Sequence, residues 1–272
     1  MRAHLVASII ALAAAAAVVS GCAQAREPAG DPAVPAPAPD ATGLTGVWRV
    51  SGISGDVDTW LILGGRSLEL WRECGQVSGE WVARDGAFLA GTSGWSGACP
   101  GDDGLPAVAW LQTASAYERD GAEWLLRRDD GTEVARLTPD ADPRPRVRGI
   151  LPPGDETALL RVAAPETSVE LASGDDLVGR WVPIGTFATV PELRVVADGT
   201  WSASDGCNGM QGRWASPGPG VLLSTGGPMT LIGCDGSYEP MAFGEAHTVG
   251  FDGDALLLFD HTGAQVARLI PG

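Results

Sequence analysis

The chain has 272 residues, 44% of them apolar and 19% charged, with ten Trp against two Tyr, a balance that builds packed cores and excludes a largely disordered protein. Its formal net charge is -16 and every one of its 18 basic residues is Arg, so a phosphate backbone meets repulsion over most of the surface and nucleic acid is excluded as a partner. The length suits two domains of ordinary size.

The chain opens with Arg2, an apolar stretch from Leu5 to Val19 that is short for a spanning helix, and then Val19-Ser20-Gly21-Cys22. This arrangement resembles the lipobox of bacterial lipoproteins. The resemblance implies that residues 1–21 are a cleaved signal peptide and that Cys22 is acylated. The membrane is then a partner through the lipid alone, and the expected location is a cell membrane, facing outside the cytoplasm. Residues 22–42 are rich in Ala and Pro, with the run Pro35-Ala36-Pro37-Ala38-Pro39, and are expected to form a disordered, extended stalk. With Cys22 assigned to lipid, Cys74, Cys99, Cys207 and Cys234 remain. They are an even set for an oxidising compartment, and two disulfides are expected, one within each half. There is no Cys-x-x-Cys pair and no histidine cluster beside these cysteines, so neither a metal nor another cofactor is expected.

The next segment introduces an internal repeat. Shifting the chain by 133 positions puts Gly46 on Gly179, Trp48 on Trp181, Cys74 on Cys207, Gly79 on Gly212 and Trp81 on Trp214 without a gap. Matches of Trp and Cys carry weight because both residues are rare. Further on the offset drifts: Cys99 meets Cys234 at 135, and Gly131 to Leu137 meets Gly263 to Leu269 at 132. Small loop insertions account for the drift. The repeat divides the chain into a first domain at 43–139, a bridge at 140–176 and a second domain at 177–272.

Within the first copy, Trp60 to Leu63 reads as a strand followed by the Gly64-Gly65 turn, and Glu123 to Arg127 with Val134 to Leu137 form the closing strands. Ala107 to Ala116 lacks turn dipeptides and is expected to be a short helix. The bridge contains Asp142-Pro143-Arg144-Pro145 and Leu151-Pro152-Pro153-Gly154, a density of proline that resists regular structure. Ala158 to Ala163 is the one stretch there expected to add an edge strand. In the second copy Leu193 to Val196 is the strand before Asp198-Gly199, Glu239 to His247 is the helix, and Ala255 to Phe259 with Val266 to Ile270 close the module. Asp-Gly recurs at Asp85, Asp103, Asp120, Asp130, Asp205, Asp235 and Asp252, a dipeptide suited to tight turns. The expectation is a mainly β chain with two tandem small antiparallel β-barrel-like domains, each carrying one short helix.

The second copy carries a more specific pattern. Leu177-Val178-Gly179-Arg180-Trp181 opens it, Asp205-Gly206-Cys207-Asn208-Gly209-Met210-Gln211-Gly212-Arg213-Trp214 lies in the middle, and Thr230-Leu231-Ile232-Gly233-Cys234 follows. This resembles the META domain, the HslJ-like module of bacterial envelope proteins, over about Leu177 to Ile270. The first copy departs from the pattern, with Glu73-Cys74-Gly75-Gln76 in place of Gly-Cys-Asn, so its membership rests on the repeat. The resemblance implies a compact antiparallel β fold with one helix and brings no catalytic residues. Asp205, Gly206, Asn208, Gly209, Gly212 and Trp214 are the residues of its central turn, and turn Asn and buried Trp in such places usually cap and pack. A bridge from Cys207 to Cys234 clamps that turn, contributing about 3–4 kcal/mol in the loop-entropy account.

The sequence offers little for catalysis. Beyond the leader only His247 and His261 exist, and Asp260-His261 falls in a hairpin turn where polar residues are expected anyway. Gly94-Trp95-Ser96-Gly97 is one residue too tight for a nucleophile elbow. Gly101 to Gly104 and Asp252 to Asp254 lack the ligand spacing of a calcium loop and read as solvated turns. The leading expectation is a non-enzymatic, lipid-anchored envelope or surface lipoprotein that binds an unidentified envelope or extracellular protein or ligand. A structural role in envelope maintenance or stress tolerance is the alternative, and a hydrolase using Asp and Glu is the third.

Overall fold

The computed structural model describes residues 38–53, 58–97, 108–140, 142, 156–233 and 235–272. The leader, Cys22, most of the stalk, Cys99, Cys234 and the Gly101 to Gly104 turn lie outside the described residues.

The chain is mainly β, in two antiparallel sheets with few helices. The first sheet contains β1 (Gly46–Ser51), β2 (Thr59–Leu63), β3 (Ser67–Arg72), β4 (Gly75–Arg84), β5 (Ala87–Gly97), β6 (Ala116–Asp120), β7 (Glu123–Arg127) and β8 (Glu133–Pro139). Each strand pairs with the next, and β1 also pairs with β8, so the sheet closes on itself. The weakest link is β5 to β6, joined through Ala87 and Ala116 alone.

The second sheet contains β9 (Glu170–Leu171), β10 (Gly179–Pro183), β11 (Glu192–Val195), β12 (Thr200–Ser204), β13 (Gly209–Ala215), β14 (Leu223–Gly226), β15 (Thr248–Asp252), β16 (Ala255–Phe259) and β17 (Gln265–Pro271). Its order is β14-β13-β12-β11-β10-β17-β16-β15-β9. From β10 to β17 this is the cyclic order of the first sheet, and a single bridge between Val221 and Thr248 stands where β5 meets β6 in the first.

Shared packing devices explain why the repeated residues recur. Trp48 donates its indole N–H to the Leu44 carbonyl at 2.7 Å, and Trp181 donates to Leu177 at 2.8 Å. Each indole thereby pins a one-turn helix, Ala41–Leu44 or Gly174–Leu177, to the following strand. Gly79 and Gly212 sit where a neighbouring strand crosses closely. A Cβ on Gly79 would collide with the Gly91 carbonyl, and one on Gly212 with that of Thr225. Alternation along the strands sends one set of side chains inward. Trp81, Phe88 and Trp124 fill the first core, and Trp201, Met241 and Phe243 fill the second.

Three expectations need correction. Each half has two short helical segments among the described residues rather than one, because the turns that hold Trp48 and Trp181 add to Ala109–Thr113 and Glu239–Gly244. Those two are shorter than expected, and the second is a 3-10 helix. The chain is drawn back into the sheet where Ser115 donates to Arg127 and where His247 donates to Phe259. Finally, Ala158 to Ala163 forms no strand: Glu156–Leu160 is a 3-10 turn that buries Leu160 against the first core. The edge strand is β9, paired with β15.

Pro37–Gly272 is one compact unit, so the halves are docked and not strung apart. The outer face of β4 and β5 packs on the outer face of β13 and β14. Its apolar centre is Val82, Leu89 and Ala87 against Ala215, Leu223 and Val221. In the repeat alignment Val82 matches Ala215, Leu89 matches Leu223 and Ala87 matches Val221. Equivalent faces therefore meet, as in an isologous dimer.

Candidate functional site at the seam between the halves

The apolar centre of the seam is ringed by polar groups that only the docked arrangement brings together. Arg66, on the β2–β3 turn, donates through Nη2 to the Ser224 carbonyl at 2.8 Å and to the Gly244 carbonyl at 2.7 Å. Its Nη1 stands 3.5 Å from His247 Nε2, and Glu80 lies 3.3 Å away. Glu80 also accepts from the Gly226 N–H at 2.9 Å. Arg84 donates to the His247 carbonyl at 3.2 Å. The two guanidiniums, partly drawn out of water, are offset by directed hydrogen bonds across the seam.

His247 is buried at 3% exposure. Burial, reinforced by Arg66, His261 and Arg84 and opposed by Asp260, pushes its pKa down to about 3. It is a neutral ring beside Arg66, so its role in the seam is that of an uncharged acceptor. Asp260 is engaged in its own turn, accepting from Thr262 at 2.8 Å and from the Ala264 N–H at 3.1 Å. The pair Asp260-His261 is thus a hairpin turn, as its residues imply. Asp252 is likewise held in an ion pair, 2.8 Å from Arg268.

The predicted central turn is assembled tightly. Asp205 accepts from the N–H groups of Cys207 and Asn208 at 2.8 and 2.6 Å and from the Asn208 side chain at 2.8 Å. Burial works against the Asp205 carboxylate, but the hydrogen bonds from Asn208 and Cys207 hold its pKa below the ordinary value. Asn208, 6% exposed, grips Ile232 through its side-chain amide, donating from Nδ2 to the Ile232 carbonyl at 2.8 Å and accepting at Oδ1 from the Ile232 N–H at 2.6 Å. Trp214 donates to the Val196 carbonyl at 2.9 Å. Gly209 opens β13 and Gly206 occupies a positive φ of 104° against the Thr189 carbonyl. These six residues secure a turn and a strand, and Gly212 and Trp214 each also line one of the two clefts beside the seam.

Two clefts flank the seam. The smaller, about 510 Å³, is lined among others by Thr92, Gln112, Ser202, Gln211, Arg213 and Thr225. The larger, about 980 Å³, is lined by Arg127, Arg128 and Asp129 of the first half and Ser216 and Pro217 of the second, and it shares Gln112 and Arg213 with the smaller. Both volumes lie in the range of small-molecule sites. Sequence reading misses Thr92, Gln112, Gln211 and Arg213 as site residues. The available signal was Arg213 itself, which the repeat aligns with Glu80 on the equivalent outward face.

No protein-family model, curated protein or solved structure matches the chain.

Proposed function

We propose that the chain is a lipid-anchored envelope lipoprotein without enzyme activity, in which two META-like, barrel-like modules dock into one head that binds an envelope or extracellular partner at the seam. The observation that carries this reading is the docking of equivalent faces, which leaves two shared clefts that neither half has alone. The Val19-Ser20-Gly21-Cys22 sequence supports the anchor and the Pro-rich segment after it supports the stalk. Binding is favoured over catalysis because His247 is employed in the seam and Asp260 in its turn.

Local anchors support one disulfide within each half. Gly75 pairs with Gly97, which places Cys74 beside the strand end that Cys99 follows by two residues. Asn208 holds Ile232, two residues before Cys234, directly beside Cys207.

The test has two arms in living cells. Cys22→Ser should abolish incorporation of an alkyne-tagged fatty acid and release the protein from membranes. A photo-crosslinking residue at Gln112, exposed on the cleft wall, should give a discrete adduct that the same residue at Asp254, on a turn lining neither cleft, does not give. Retained labelling of Cys22→Ser, or equal crosslinking at both positions, would count against the reading.

A further inference from the structure

We propose that the smaller seam cleft is a binding site for a carboxylate carried on a small polar molecule, with Arg213 as its cationic partner. The inference rests on reading the seam as a binding surface and names the chemistry of what enters it.

Arg213 is the first reason. It is half-buried, and among the described residues its guanidinium makes one hydrogen bond, from Nη1 to the Ala90 carbonyl at 2.8 Å. No carboxylate among the described residues pairs with it, although the chain has 34 acidic residues against 18 basic ones. Burial pushes its pKa down, the direction expected for a desolvated cation that lacks a counter-ion. Its remaining N–H donors form the planar fork that suits a carboxylate.

The second reason is Thr225, whose buried hydroxyl has no hydrogen-bond partner. It lines the same cleft and sits opposite Arg213 in the β13–β14 register, while Thr200 sits opposite Arg213 on the other side. An unsatisfied hydroxyl in the cleft wall and, opposite it in the ladder, a guanidinium without a carboxylate partner mark this wall as one whose polar groups the protein does not itself satisfy.

The lining selects among anions. Thr92, Gln112, Ser202 and Gln211 add neutral donors and acceptors, and the lining contains no carboxylate. One unpaired positive charge balances one negative charge, which favours a carboxylate over a phosphate dianion. The equivalent position in the first half shows the contrast: Glu80 is neutralised inside the seam by Arg66 and the Gly226 N–H.

Sugar acids and peptide termini both carry such a carboxylate, and a titration of the full-length protein in detergent, followed by backbone amide NMR, separates the two. The probes are glucuronate and N-acetyl-alanyl-alanine, their uncharged counterparts glucose and the dipeptide amide, and inorganic phosphate. At least one carboxylate should shift the Thr92 and Gly226 amides saturably while its uncharged counterpart does not. Arg213→Met should weaken that binding at least tenfold. Because Arg213 also touches Ala90, Gln112→Ala provides a second variant, expected to weaken binding without changing thermal unfolding. No saturable shift with either carboxylate, equal binding of the uncharged counterpart, tighter binding of phosphate, or unchanged binding by both variants would overturn the proposal. A discrete Gln112 adduct in cells together with failure here would remove the carboxylate and keep the binding surface.

Discussion

Arg66→Ala is the most informative perturbation of the seam. The guanidinium makes two charge-assisted hydrogen bonds to carbonyls of the other half, at 2.8 and 2.7 Å. Bonds to charged groups contribute about 1.5–3 kcal/mol each. The side chain is 16% exposed, so water regains part of the loss, and the low end of that range is appropriate: about 3 kcal/mol for the two. Loss of a counter-ion for Glu80 adds to this, but Glu80 is exposed enough to be solvated, and its share is small. In urea, with Trp fluorescence as the readout, the parent protein should unfold in one transition because both halves share one compact unit. The variant should lose about 3 kcal/mol or separate into two transitions. Arg66→Lys should restore less than half, since the strongly hydrated ammonium sits on a shorter side chain and does not reach the position from which Nη2 donates to both carbonyls. A loss under about 1 kcal/mol with one unchanged transition would refute the view that Arg66 locks the halves together.

The repeat makes a paired prediction: Gly79→Ala and Gly212→Ala should each cost about 2–3 kcal/mol in chemical unfolding, because each Cβ meets a neighbouring carbonyl, and a neutral result at either site would deny the shared packing. Asn208→Ala should cost about 2 kcal/mol by thermal unfolding through loss of the Ile232 clamp, whereas an unchanged midpoint would show that the turn holds without it. Stability should also fall with acid in a defined window. The His247 pKa is depressed from 6.5 to about 3, so below about pH 6.5 the unfolded chain takes up a proton that the folded chain refuses, and stability present at neutral pH is lost progressively toward pH 3 at up to about 1.4 kcal/mol per pH unit. Between pH 6 and 5, above the range of the carboxylates, that slope should vanish in His247→Gln, and its persistence would assign it elsewhere.

Much of the fold is legible because its causes are local. Trp60 to Leu63 and Ala255 to Phe259 announce strands by composition, the Asp-Gly dipeptides mark turns, and the recurrence of Trp48 and Trp181 reflects an indole that must reach a carbonyl four residues back. The edge strand is harder to place, since Leu160 is apolar enough for a strand yet is spent in a 3-10 turn over the first core. The seam is hidden for another reason. Period-two alternation tells inward from outward but not whether an outward side chain meets water or protein. Nothing in the sequence marks Arg66, Arg84 and Arg213 as facing protein, and the outward apolar set of Val82, Leu89 and Leu223 is the signal that this face is covered. The cleft residues inherit that difficulty, because Thr92 and Gln112 come from one half and Gln211 and Arg213 from the other.

The proposal of an exported chain with two equivalent modules, each closed by its own bridge, is tested most directly by non-reducing peptide mass mapping of the protein isolated from cell membranes. It predicts a lipid-modified Cys22 at the mature amino terminus and linked peptides joining Cys74 to Cys99 and Cys207 to Cys234. Free thiols at these four positions, a bridge from one half to the other, or an intact leader ahead of an unmodified Cys22 would contradict it.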